Sequence, residues 1–435
     1  MKIAFQHQTL ANGLDVMVHE DHGCPIVAVN LWYHVGSKNE RPGRTGFAHL
    51  FEHLMFEGSQ HYDRGYFHPL QEAGASLNGS TNADRTNYWE VVPANAVELA
   101  LWMESDRMGY LLPALTEAKF GTQRDVVLNE RRQNYENRPY GRSSMALVAS
   151  LYPPEHPYHW LTIGQAEDLR AATLDDVRAF FQAYYHPANA SLAIAGDIAA
   201  DEAFNLARRY FEEIPAGEPT TRVEPPPAAM ASEQRLLIED RVELPRIYMV
   251  WHTPALFADG DAELDLIAEI FAGGKTSRLY RTLVYDARLA TEIATSQNSR
   301  ELGSFFQVVA TAAPRRLLSE LDRAINREFE RFIAQGPDER ELERAKAQAE
   351  AHFVQRLQTV GGFGGKSDQL NAYNIFLRQP DYFEADLDRY RRATRESIRA
   401  AAERYLTLDR RVVLSVVPRG RLALAVPDSR PVTVT

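Results

Sequence analysis

Thr173-Leu174-Asp175-Asp176-Val177-Arg178-Ala179, closed by Tyr184, returns 221 residues later as Thr394-Arg395-Glu396-Ser397-Ile398-Arg399-Ala400, closed by Tyr405. In each copy the Thr stands where it can cap a helix, and an acid, Asp175 or Glu396, falls in the first turn, where it favours the positive end of the helix dipole. Each copy then leads into an apolar strand, Leu192 to Ala195 in the first and Val412 to Val417 in the second. Recurrence at one fixed offset is the mark of an internal duplication, so the same fold is expected twice.

The length of 435 residues agrees, being too great for one ordinary core. Pro215, Pro219 and the run Pro225-Pro226-Pro227 interrupt all periodicity between Ile214 and Gln234. The expected division is therefore a domain over residues 1–220, a proline-rich linker over 221–234 and a homologous domain over 235–435. Strand signals alternate, as in Ile26-Val27-Ala28-Val29-Asn30-Leu31-Trp32-Tyr33, and long amphipathic segments such as Asp338 to Val360 read as helices. Alternation implies a sheet covered on one face. The fold class is α+β, each domain a mostly antiparallel sheet with helices on one face.

A net charge of −11 argues against a nucleic acid partner, which requires clustered Lys and Arg. Cys24 is the only cysteine, so an internal disulfide is excluded and nothing marks an oxidising compartment. No apolar run follows Met1-Lys2-Ile3, and none elsewhere reaches the roughly 18 residues that span a bilayer. The expectation is a cytoplasmic protein with no membrane partner, or a periplasmic one if a signal has been removed.

Chemistry concentrates at His49-Leu50-Phe51-Glu52-His53, the pattern H-x-x-E-H. At about 100° per residue in a helix, His49 and His53 lie about 40° apart, with Glu52 about 60° to the other side of His49. Three polar side chains thus share one face, while Phe47, Leu50, Phe51 and Leu54 give the segment an apolar stripe. Neutral imidazoles bind Zn²⁺ well, and a catalytic zinc keeps one position open beyond three protein ligands. With two imidazoles and one further ligand satisfying the metal, Glu52 is left as general base. The order inverts the commoner H-E-x-x-H and marks the inverted zinc peptidases.

Other motifs carry less. Gly274-Lys275-Thr276 and Gly365-Lys366-Ser367 imitate a phosphate loop, but the glycine needed five residues earlier is Glu269 or Val360. Glu155-His156-Pro157-Tyr158-His159 is broken by prolines and reads as a loop. The glycines Gly361, Gly362, Gly364 and Gly365 read as a mobile cap after a long helix. A third metal ligand must come from elsewhere. Glu130 falls on the inward face of a helical stretch with Val126 and Val127, though a pairing with Arg131 would account for it equally on that ground alone.

Gly46 to Phe56, then Leu77-Asn78-Gly79-Ser80-Thr81, Thr86-Asn87-Tyr88 and Arg124 to Glu130 resemble the pitrilysin-type zinc metallopeptidases, a family that includes insulysin and mitochondrial processing peptidase. The likeness covers nearly the whole chain and is most specific between residues 40 and 140. It implies a Zn²⁺ cofactor held by His49, His53 and Glu130, the last lying 77 residues beyond His53, with Glu52 as base. It implies two homologous α+β domains forming half of a clamshell. It also implies a peptide substrate paired along Asn78, Gly79 and Ser80 by β-augmentation, although Asn78-Gly79 also suits a hairpin turn.

Two departures qualify the likeness. Many relatives carry a second Glu seven residues before the ligand, where this chain has Gln123, which can hydrogen-bond beside the site without charge. Family members usually complete their site with an Arg and a Tyr seven residues apart, and the matching positions here are Val284 and Thr291. The resemblance is therefore closest to the zinc-bearing subunit of bacterial heterodimers, implying a homologous, non-identical partner that supplies the pair. The expected function is a zinc-dependent endopeptidase subunit. The alternatives are a self-sufficient homodimer and a non-catalytic subunit of the same fold.

Overall fold

The computed structural model describes residues 2–434. The strands are β1 (Gln6–Thr9), β2 (Asp15–Glu20), β3 (Ile26–Tyr33), β4 (Ser76–Thr81), β5 (Thr86–Pro93) and β6 (Ala190–Gly196), then β7 (Gln234–Asp240), β8 (Arg246–Thr253), β9 (Ala290–Asn298), β10 (Ser304–Ala312), β11 (Val412–Pro418) and β12 (Arg430–Pro431). They form two six-stranded sheets, ordered β1-β2-β6-β3-β5-β4 and β12-β7-β11-β8-β10-β9. The duplication is visible in the topology: β2-β6-β3-β5-β4 is repeated as β7-β11-β8-β10-β9. The parallel pair falls at the same place in each, β2 with β6 and β7 with β11, and the three pairings beyond it are antiparallel.

The two copies of the opening motif are capped alike. Thr173 Oγ1 accepts the Asp176 N–H at 3.2 Å and opens helix Leu174–Tyr184. Thr394 Oγ1 accepts the Ser397 N–H at 3.1 Å and opens helix Arg395–Tyr405. In both, the side chain three residues on returns a bond to the Thr N–H, completing a capping box.

The proline-rich stretch before β7 carries no helix or strand. The compact units nevertheless interleave along the chain instead of dividing there. One comprises residues 1–131, 160–223 and 353–385, the other 132–159, 224–352 and 386–435. In the first unit, successive β3 side chains point to opposite faces. Tyr33 packs on Tyr88 and Tyr185, whereas Asn30 and Trp32 both donate to Asp368 of helix Lys366–Leu377. A helix from the second half of the sequence thus lies on the face of the first sheet away from its own helices. In the second unit, helix Arg142–Leu151 packs against β11, and the His252 ring bonds the Leu151 carbonyl at 2.8 Å. The core of that unit centres on Trp251, Phe271 and Phe329, stacked at 4.5–5.0 Å.

Of the glycine cluster expected as a mobile cap, Gly361 packs on the first sheet. The helix before it ends at Arg356, and a Cβ on Gly361 would stand 2.4 Å from the Ala28 Cβ and 2.7 Å from the Val91 Cγ2. Gly361 can approach β3 and β5 this closely because it presents no side chain there, whereas Gly362 and Gly364 face open space. Among the described residues, no helix is long and apolar enough to cross a membrane.

Candidate metal centre

The H-x-x-E-H segment forms helix Phe47–Leu54, and Phe47, Leu50, Phe51 and Leu54 are buried as their spacing requires. Gly46 precedes it at φ 90°, a left-handed conformation that glycine adopts without cost. Space there is also short: a Cβ on Gly46 would meet the Ile163 carbonyl oxygen at 3.1 Å and the Gly164 Cα at 3.2 Å. The first turn is held by buried Glu40, whose two oxygens accept the N–H groups of Gly46 and Ala48, each at 2.9 Å. The Trp160 indole donates to the same carboxylate at 3.0 Å. Burial pushes the Glu40 carboxyl up to about 8, and the backbone and indole donors work against that rise.

Helix Glu117–Arg131 carries Glu130 across to the motif helix. Glu130 Oε2 lies 3.6 Å from His49 Nε2 and 3.6 Å from His53 Nε2. Ligand atoms about 2.1 Å from a tetrahedral zinc are separated by about 3.4 Å, so the three donors are spaced to grip one ion. Among the described residues these three make up the single group of His, Cys, Asp and Glu side chains close enough to do so, with their donor atoms within 4.8 Å of one another. Burial, with His53 beside it, lowers the His49 pKa to about 4 and keeps that ring neutral, as a ligand must be. Arg131, the competing partner for Glu130, donates to the Gly164 carbonyl at 3.2 Å and to the Gln165 side chain at 3.3 Å.

Glu52 lies on the same helix, half-buried. Burial raises its pKa, opposed by the Thr81 hydroxyl and by the charge of Arg85. Arg85 sits in the turn between β4 and β5 and donates to the Ser80 carbonyl at 2.8 Å. Its guanidinium also lies in the field of Asp368. Neither Glu40 nor Arg85 was foreseen, since each is a single polar residue in an irregular segment, without a period that would mark it.

Asn78, Gly79 and Ser80 belong to β4, the edge strand of the first sheet, and not to a hairpin turn, which falls at Asn82–Arg85. Among the described residues, one side of β4 is therefore unpaired. Gly79 packs closely: a Cβ there would lie 3.0 Å from the Tyr88 ring and 3.1 Å from Phe56, just beyond the motif helix. The Gln123 amide donates to Glu57. In the second unit, Val284 packs against the core and Thr291 lies in β9, its hydroxyl 3.4 Å from the Thr311 carbonyl. The loop histidines are used by backbone: His156 Nδ1 accepts the Tyr158 N–H at 3.0 Å, and the His159 ring bonds the Tyr152 carbonyl at 2.7 Å. Lys366 of the phosphate-loop lookalike pairs with Asp21 at 2.7 Å.

Comparison with known proteins places both halves in one group. Residues 15–153 match the family model described as insulinase (peptidase family M16), and residues 171–349 match the one described as peptidase M16 inactive domain. The chain is 28% identical to the zinc protease PqqE of Helicobacter pylori over 386 residues, covering 87% of this chain and 86% of that protein. A solved protease structure from Helicobacter pylori superposes with a TM-score of 0.87 at 25% identity, covering 95% of this chain and all of that one. A peptidase M16 inactive domain from Pseudomonas fluorescens shares the fold, with a TM-score of 0.85 at 19% identity over 99% of this chain and all of that one.

Proposed function

Because this chain belongs to the M16 peptidase family, we propose that it is a zinc-dependent endopeptidase acting on peptides or unfolded segments. The observation that carries this reading is the convergence, within ligand spacing, of Glu130 from helix Glu117–Arg131 on His49 and His53 of the helix that also bears Glu52. In it, His49, His53 and Glu130 would hold the ion, and a bound Zn²⁺ would supply Lewis-acid polarisation of the scissile carbonyl and a lowered pKa for the attacking water. Glu52 takes the water proton and passes it to the departing amine. Its burial favours this, because a raised carboxyl pKa brings the base closer to the pH at which it must also act as an acid. The open side of β4 offers backbone donors and acceptors to an extended peptide, and the edge Asn78-Gly79-Ser80 is assigned to that pairing.

With Val284 and Thr291 at the positions where relatives carry Arg and Tyr, the chain is assigned the zinc-bearing role in a pair with a homologous, non-identical subunit. The test is cleavage of a quenched peptide by the zinc-loaded chain, alone and mixed with a homologue that carries the Arg and Tyr but lacks H-x-x-E-H, each with and without chelator. Chelator-sensitive cleavage that needs the mixture is expected. Full cleavage by the chain alone would defeat the pairing, and no cleavage in the mixture with zinc bound would defeat the peptidase reading.

A further inference from the structure

We infer that the second unit carries a docking site for an acidic polypeptide segment, built from five arginines at one end of its sheet. The topology gathers them. Antiparallel and parallel pairings bring the ends of β7, β10 and β11 and the start of β8 to the same edge, so the loops that follow them adjoin. Arg241 comes from the β7–β8 turn, Arg315 and Arg316 follow β10, and Arg419 and Arg421 follow β11. Together they line a cleft of about 510 Å³.

Among the described residues, four of these five guanidiniums have no carboxylate partner. Arg316 pairs with Glu320 at 3.3 Å, whereas Arg241, Arg315, Arg419 and Arg421 are exposed and form no side-chain ion pair among the described residues. Two carboxylates also line the cleft, but Asp240 is turned to backbone, accepting the Tyr140 and Arg241 N–H groups at 2.8 and 2.7 Å. The lining is therefore net positive on a chain whose overall charge is −11. An unpaired cationic cluster on an acidic protein repels itself and is relieved by a bound anion.

The duplication supplies an internal control. The equivalent loops of the first unit read Asp21-His22-Gly23-Cys24-Pro25 after β2, Ala94-Asn95-Ala96 after β5 and Asp197-Ile198 after β6, without one Lys or Arg. The fold itself does not call for arginine at these turns.

The occupant is identified by what accompanies the charge. Guanidinium forks suit carboxylates and phosphates equally. Here Val242, Leu244 and Leu424 share the lining, and the next residue after Arg421 is Leu422, an exposed leucine. Apolar surface beside the cations favours a chain of mixed Asp, Glu and Leu over a small phosphate.

The inference is independent of the peptidase reading. It is tested by fluorescence anisotropy with a labelled peptide of alternating acidic and leucine residues, against the full chain in a Glu52→Gln background so that no peptide is consumed. The comparison protein adds Arg241→Ser, Arg315→Ser, Arg419→Ser and Arg421→Ser, exposed changes whose folding is checked by the melting transition. The expected result is binding that weakens at least about tenfold in the serine variant and falls as salt rises, as screened charge attraction requires. Equal affinity in the serine variant, or equal binding of a lysine-leucine peptide, would overturn the site. Binding of tripolyphosphate with none of the acidic peptide would overturn the assignment of a polypeptide ligand.

Discussion

The Glu40 carboxylate accepts the backbone N–H of Ala48 at 2.9 Å, one residue before His49, while its other oxygen holds Gly46 at the same distance. The first turn of the motif helix is thus tied to a buried anchor, so the direction in which His49 leaves the helix depends on Glu40. Glu40→Gln keeps one acceptor but sets an amide N–H₂ against a backbone N–H. Loss of one buried acceptor, leaving the backbone N–H unsatisfied, should cost about 1–3 kcal/mol, read from the denaturant midpoint. Zinc affinity measured with a competing chelator should fall in the same variant. Unchanged zinc affinity in a destabilised protein would make Glu40 a fold residue only.

Glu52 and His49 share a helix but are assigned different roles, and substitution separates them. Glu52→Gln should keep one equivalent of zinc and lose peptide cleavage by about 10²–10⁴-fold, the range for a general base. His49→Ala and Glu130→Ala should lose zinc and cleavage together. Metal content by elemental analysis beside the cleavage rate decides it, and a zinc-free Glu52→Gln protein would mean that base and ligand have been exchanged.

What could be read from the chain was whatever has a period or a repeat. Thr173 and Thr394 announced the duplication because capping residues and first-turn acids recur at a fixed offset, and both caps are made. His49 and His53 were legible because helical geometry fixes their relation. Glu130 was legible only in part: its inward face follows from Val127, but its 3.6 Å approach to both imidazoles is a tertiary fact. Asp368 was hidden altogether. It lies 338 residues from Asn30, to which it bonds, and nothing local to residue 368 says that its helix will be laid on the first sheet.

That same helix is preceded by the glycine loop, where Gly361 stands over Ala28 and Val91. Gly361→Ala places a Cβ 2.4 Å from the Ala28 Cβ, closer than any non-bonded carbon pair, and both contacts are on a rigid sheet. Overpacking of this kind should cost about 1–3 kcal/mol. Ala28→Gly in the same chain removes the nearer contact and should recover part of the loss, leaving the clash with Val91. Additive costs in the two single variants and the double variant, measured by thermal or denaturant unfolding, would mean that the loop does not rest on β3.

Asp265 gives the second unit a dependence on pH whose sign is opposite to that of an ordinary salt-bridged carboxylate. Burial pushes it up to about 7; Asp261 and Asp386 add to the rise, and the Tyr390 hydroxyl, donating at 2.6 Å, and Arg389 oppose it. The folded chain then keeps a proton that the unfolded chain releases near pH 4. Between those values the native state binds more protons than the unfolded state, so stability falls as pH rises from about 4 to about 7 and levels off above. The full effect is at most about 4 kcal/mol, from roughly three pH units at 1.36 kcal/mol each. Asp265→Asn has no proton to lose and still accepts from Tyr390. Its melting temperature relative to the wild-type chain should therefore rise between pH 5 and pH 8. A difference that stays constant across that range would show that Asp265 is ionised in the folded protein throughout, held by Arg389 against its burial.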